Sequence, residues 1–155
     1  MDVSIRTFPA LRLIKVHKLG PYELSAPAAW QELMTWAEPR GLVGPETVRI
    51  GIGNGDPEVM APGDLTYDAC ITVERSVEVQ PPVMAEVFPA GEYAVVVHKG
   101  AFRRLVEAYH ALMLDWLPQS GRERAGRPFE VYVCNPQTTP ASELRTEVRL
   151  ALKPK

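Results

Sequence analysis

Glu130 is the only charged side chain in the run Pro128-Phe129-Glu130-Val131-Tyr132-Val133-Cys134. The run is short, β-branched and aromatic, and predicts a strand over Phe129–Cys134. In a strand Glu130 shares a face with Tyr132 and Cys134, while Phe129, Val131 and Val133 take the other. Two readings of this carboxylate are open. It is either an ordinary solvent-facing glutamate on a half-buried strand or a carboxylate beside a tyrosine on a pocket wall. On a pocket wall it attracts a cation or activates water, and desolvation raises its pKa.

A pool of aromatics could complete such a wall. Tyr22 follows Gly20-Pro21 at a strand-to-helix junction, and Tyr67 opens a strand in which it shares a face with Ala69 and Ile71. Trp36, Tyr93, Tyr109, Trp116 and Tyr132 complete the set. Taken singly, such a residue is more often core packing. Around one carboxylate, they would suit flat or cationic apolar ligands through stacking and cation–π contact.

Other chemistry is poorly supplied. His17, His98 and His110 have no Cys, His or Asp at metal-ligand spacing, so no metal is expected. Gly51-Ile52-Gly53-Asn54-Gly55 lacks the Lys-Ser/Thr and the strand–helix context of a phosphate loop, and no cofactor is expected. No serine has a nucleophile-elbow setting. Cys70 and Cys134 sit in apolar strand-like runs and read as small buried hydrophobes.

The elements that would position these residues occur twice. Phe8-Pro9-Ala10 returns as Phe88-Pro89-Ala90, Val16-His17-Lys18-Leu19-Gly20 as Val97-His98-Lys99-Gly100, and Trp36 as Trp116. Asn54-Gly55-Asp56-Pro57 is answered by Asn135-Pro136, and Thr66–Ile71 by Arg145–Leu150. On this alignment His17 and His98 are equivalent. The repeat length exceeds that of solenoid units, which is roughly 20–50 residues, so two half-domains, about 1–80 and 83–155, are expected in a single domain with a ligand cleft between them.

Each half reads strand, strand, helix, strand, strand. In the first, Val3–Thr7 and Leu11–Lys18 flank a turn at Pro9-Ala10. A helix from Ala26 to Glu38 follows, then strands Thr47–Gly53 and Thr66–Glu74. The second runs Val83–Phe88, Glu92–His98, helix Phe102–Trp116, Phe129–Cys134 and Thr146–Leu152. Leu105, Tyr109, Leu112 and Trp116 give the second helix an apolar stripe. The class is α+β.

Composition narrows the function. A net charge of −2 and a pI near 5.9 argue against a nucleic-acid surface. No apolar run reaches the ~18 residues of a membrane span, and Met1–Arg6 has no signal-peptide core. A cytoplasmic protein is expected.

The chain resembles the GyrI-like small-molecule-binding superfamily. The resemblance is carried by Phe8-Pro9-Ala10, His17-x-x-Gly20-Pro21-Tyr22, Trp30…Trp36, Gly51-Ile52-Gly53…Asp56-Pro57, Tyr67-Asp68-Ala69-Cys70-Ile71, His98-Lys99-Gly100, Leu114-Asp115-Trp116-Leu117-Pro118 and Phe129-Glu130-Val131-Tyr132. That group includes stand-alone DNA gyrase inhibitor proteins and the effector-binding domains of AraC-type and MerR-type multidrug regulators. The resemblance implies a duplicated β-α-β-β module forming a curved antiparallel sheet with two helices. It implies that Glu130 meets cationic lipophilic drugs in an aromatic pocket, with Tyr67, Trp36 and Trp116 the first aromatics to consider. It also implies two alternatives: hydrolysis of cyclopropane-containing genotoxins with Glu130 as general base, and inhibition of DNA gyrase through an exposed segment such as 54–64. The regulators carry a helix-turn-helix. This chain starts directly on a strand, so it is not expected to bind nucleic acid or to be a transcription factor.

Overall fold

The computed structural model describes residues 2–133 and 138–155. Cys134 and the Asn135-Pro136 pair lie outside the described residues. The fold is α+β, and the chain divides into two compact units, Leu11–Phe88 and 1–10 with 89–155.

The 11–88 unit contains β2 (Leu11–Leu19), α1 (Tyr22–Ala37), β3 (Arg49–Asn54), β4 (Thr66–Thr72) and β5 (Val83–Phe88). Its strands pair antiparallel in the order β5-β2-β4-β3. The other unit contains β1 (Val3–Phe8), β6 (Gly91–Lys99), a helical segment, β7 (Phe129–Tyr132) and β8 (Arg145–Ala151). Its strands pair antiparallel in the order β1-β6-β8-β7. The two patterns match strand for strand, as a duplication requires.

The compact units are not the expected sequence halves. β1 does not fold back on β2 at Pro9-Ala10: it pairs with β6, while β5 pairs with β2. The backbone at the join agrees with this. A two-residue hairpin needs positive φ in its turn, and no described non-glycine residue has one. Pro9-Ala10 therefore passes the chain from one unit to the other, and each repeat receives its first strand from across the sequence midpoint.

Both helical segments cover one face of their strands, because strand alternation gathers the apolar residues there. In the 11–88 unit Ile14, Val16, Tyr67, Ala69 and Ile71 meet Ala29, Leu33 and Ala37 of α1. The helix starts at Tyr22, four residues earlier than the apolar spacing predicts, and contains Pro27. In the other unit Ala94, Val96, Val148 and Leu150 meet Leu105, Ala108 and Leu112. Here the helical segment is broken into pieces: α2 (Val106–His110), a π-helical turn (Ala111–Trp116) and α3 (Leu117–Ser120).

The strand exchange sets which fragments fold. A fragment of residues 11–88 carries every strand of its unit and is expected to unfold cooperatively in urea. Residues 1–80 lack β5, leave one edge of β2 unpaired and remove the buried Val83. That fragment is expected to show no cooperative transition by circular dichroism, and a cooperative 1–80 would refute the exchanged arrangement.

Candidate functional site

β7 is covered on both faces. Phe129 and Val131, on one face, are buried. On the other, Glu130 stands opposite Val148 and Tyr132 opposite Thr146. Val148 belongs to the core under the helical segment, so Glu130 and Tyr132 share the helix-covered face. The open alternative of a solvent-facing glutamate therefore does not describe this side chain.

Two tyrosine hydroxyls hold the carboxylate. Tyr109, on α2, donates to Glu130 Oε2 at 2.7 Å. Tyr132 donates to Oε1 at 2.8 Å. Phe102 meets the Tyr132 ring edge-on at 5.7 Å between centroids. Burial pushes the Glu130 carboxyl above its ordinary value of 4.5, and the two tyrosine hydrogen bonds pull it only part of the way back. The residue as a whole keeps partial exposure, but its carboxyl is desolvated enough to decide the direction. Among the described residues no lysine or arginine forms an ion pair with it. Among the described residues, the arrangement is a carboxyl withdrawn from water, oriented by phenols and without a counter-cation. Chemically it can accept a cation, or accept a proton from a water molecule.

The remaining sequence candidates lie at several places. Trp116 packs against the core of the Glu130 unit and also lines a cavity of about 460 Å³ with Asp2, Val3, Ala111, Asp115 and Gln119. Tyr93 lies on the sheet face away from the helical segment. Its hydroxyl donates to Pro89 O at 2.7 Å, and its ring meets Phe8 and Phe129. Tyr22, Tyr67 and Trp36 belong to the 11–88 unit. There Trp30 Nε1 donates to the Tyr67 hydroxyl at 2.9 Å, and Tyr22 donates to Gly55 O at 2.6 Å. Trp36 carries the Arg40 guanidinium 4.0 Å above its ring and lines a surface cavity of about 540 Å³ with Gln31, Glu32 and Thr35.

The matching registers identify counterparts between the units. Tyr67 pairs with Lys18 and Gly53, as Thr146 pairs with His98 and Tyr132. Gly51 then answers Glu130, and Gly53 answers Tyr132. This corrects the equivalence of His17 with His98. The correct partner of His98 is Lys18, because the strands align without the one-residue gap that the letters suggest. A slip of one residue reverses the face of every side chain. His98 is accordingly buried under the helical segment, while His17 points from the opposite face of its own sheet and is partly exposed.

On that opposite face lies a polar group that the sequence did not signal. Asp68, nearly buried, is bound by His17 Nδ1 and by Lys15 Nζ, the latter at 3.1 Å, and Lys15 also reaches Glu86 at 3.3 Å. Burial opposes the lysine's charge, but Asp68 and Glu86 outweigh it and hold its pKa up. The Cys70 thiol, buried beside Asp68, is pushed up chiefly by desolvation and is unreactive. Lys15 pairs with both carboxylates, in contrast with Glu130. Alternation alone could have placed Lys15, His17, Asp68 and Glu86 on one face once the pairing was known.

The comparisons agree with this architecture. The family described as GyrI-like small molecule binding domain matches residues 1–153. A DNA gyrase inhibitor from Erwinia billingiae is 29% identical over 140 residues, covering 86% of each chain. The C-terminal domain of EcmrR superposes with a TM-score of 0.79 at 20% identity, over 98% of this chain and 97% of that one. A hydrolase from Listeria innocua superposes with a TM-score of 0.70 at 14% identity, over 98% and 92%. The chain belongs to the GyrI-like small-molecule-binding domain family.

Proposed function

We propose that this protein binds apolar, cationic or polycyclic small molecules, with Glu130 supplying the charge that selects a cation. The observation that carries the reading is a desolvated carboxylate held by Tyr109 and Tyr132 with no ion-pair partner among the described residues. A bound lipophilic cation supplies the missing charge, and the aromatic rings supply stacking area and cation–π attraction. The family match is consistent with a small-molecule ligand.

Substituting Glu130→Gln separates a functional carboxylate from a structural one. Because the folded-state pKa is raised, folding takes up a proton from solution onto Glu130 between its unfolded and folded pKa values. The charged form therefore lowers stability at neutral pH and lowers it less in acid. The Gln variant is expected to melt higher than the parent at pH 7, while its affinity for tetraphenylphosphonium falls roughly 10- to 100-fold, the scale of a lost charge-assisted contact. In the parent, affinity is expected to drop as pH falls through the raised carboxyl pKa, and that dependence disappears in the variant. Calorimetric titration across pH 5–8, a range of about three units around the glutamate and histidine region, checks both. A variant that melts lower and binds the cation as well as the parent overturns the reading.

A second reading shares the same residue. A carboxylate whose pKa is raised is better matched to proton transfer near neutral pH, and the hydrolase from Listeria innocua shares the fold. In a hydrolysis of a cyclopropane-containing compound, Glu130 takes a proton from water and the hydroxyl joins one ring carbon. The strained C–C bond breaks, and the other carbon receives the proton. Turnover is then expected to fall ~10²–10⁴-fold in Glu130→Gln, read as ring-opened product by mass spectrometry, while binding of a neutral substrate persists. Turnover unaffected by the substitution removes Glu130 from that chemistry.

A contact with DNA gyrase is supported by the name of the Erwinia billingiae relative. Val59, 80% exposed in the 54–64 segment, is its most prominent apolar side chain. If that segment makes the contact, Val59→Asp is expected to weaken inhibition in a supercoiling assay about tenfold, in line with the loss of one interface anchor. Equal inhibition by parent and variant excludes the segment.

A further inference from the structure

Two polar atoms on the helix-covered sheet face that also carries Glu130 are not used by the reading above. His98 Nδ1 and Thr146 Oγ1 are buried and have no hydrogen-bond partner among the described residues. His98 is 4% exposed and Thr146 0%. The two residues face each other across β6 and β8, and Tyr132 stands on the other side of Thr146. Alternation places all three, with Glu130, on the helix-covered face. The row His98–Thr146–Tyr132 thus runs across three strands, and Tyr132 hands it on to Glu130.

The tautomer of His98 follows from its other nitrogen. Nε2 lies 3.0 Å from the carbonyl oxygen of Ala101. A carbonyl only accepts, so Nε2 carries the proton, and in the neutral ring Nδ1 presents a lone pair. The hydroxyl of Thr146 can donate or accept. A buried acceptor left unpaired is costly, and such groups in native proteins call for an explanation.

The other repeat shows that the fold does not require them. At the place of Thr146 stands Tyr67, whose hydroxyl is satisfied by Trp30. Gly51 and Gly53 replace Glu130 and Tyr132, and a Cβ at Gly53 would lie 3.2 Å from the Tyr22 ring. Lys18 replaces His98 and pairs with Glu32. The counterpart region is thus filled by tyrosine rings. In the Glu130 unit the same backbone carries a small hydroxyl, an imidazole acceptor and a carboxylate.

We propose that His98 and Thr146 form a second recognition point of the Glu130 site and accept a hydrogen-bond donor, a hydroxyl or an amine N–H, from the ligand. The inference rests on the reading of Glu130 as a ligand-binding carboxylate and narrows its ligand class. The preferred ligand is an aromatic cation that also carries a donor, rather than a purely hydrocarbon cation.

A matched pair of probes tests this. Tetraphenylphosphonium has no donor, and (4-hydroxyphenyl)triphenylphosphonium adds one hydroxyl to the same body. Calorimetry is expected to show the parent preferring the hydroxylated cation about tenfold, the scale of satisfying a buried acceptor. The ratio of the two affinities is expected to fall to about one in Thr146→Val and His98→Phe and to persist in Thr146→Ser, which keeps the hydroxyl. In the parent, the ¹⁵N resonance of His98 Nδ1 is expected to shift on adding the hydroxylated cation and to stay on adding tetraphenylphosphonium. This readout needs no variant to fold. Equal affinity of the parent for both cations, a preference that survives both disabling substitutions, or an unmoved Nδ1 resonance overturns the proposal while leaving the role of Glu130 standing. A parent that binds neither cation overturns the role of Glu130 and this proposal together.

Discussion

A carboxylate taken out of water without a counter-cation is unfavourable, and Glu130 has none among the described residues. Desolvation raises the pKa of Glu130, and two phenol hydroxyls only partly offset it. A protein selected only for stability would place an apolar residue there, since replacing a buried charge by a well-packed hydrophobe is commonly neutral or favourable. The other repeat comes close to that solution, with glycines at the corresponding positions and tyrosine rings over them. The cost at Glu130 is tolerated at one repeat and absent from the other, so the shared fold does not require it.

The scaffold makes that asymmetry possible. Both units use the same pairing order and cover the same sheet face with a helical segment. The core positions under the two helical segments are interchangeable in kind: Ala29 and Leu33 on one side, Ala108 and Leu112 on the other. Stability is thus held by apolar residues common to the repeats, while the polar residues at the ends of β6, β7 and β8 are free to differ. The π-helical turn just after His110 lies in the helical segment of the Glu130 unit; α1 has no such turn. Such turns concentrate at functional sites.

The two polar clusters of the molecule also differ in kind. Asp68 is ion-paired with Lys15 and hydrogen-bonded to His17, so its burial is compensated within the protein. Glu130 accepts hydrogen bonds from two tyrosine hydroxyls and has no ion-pair partner among the described residues. The first arrangement holds strands together on a sheet face. The second orients a desolvated carboxyl under the helical segment.

The duplication, the α+β class, a strand starting at Phe129 (expected to run to Cys134 and observed to Tyr132) and the lone charge of Glu130 within it were legible in the sequence, because they depend on local composition and on alternation along one strand. Tyr132 followed from the same alternation. Tyr109 was visible only as a member of an aromatic stripe, since its contact with Glu130 depends on how the helical segment lies across the sheet. The sequence misled where two repeats had to be aligned by letters: His17 matched His98, but register pairs His98 with Lys18, and one residue of slip reverses the face. It also could not show that β1 and β5 are exchanged, because strands carrying the same Phe-Pro-Ala ending offer equivalent edges and only the assembled sheet selects between them. Local chemistry is written in the order of residues. Which groups share a face, and whether a buried charge finds a partner, is decided by pairing between distant strands.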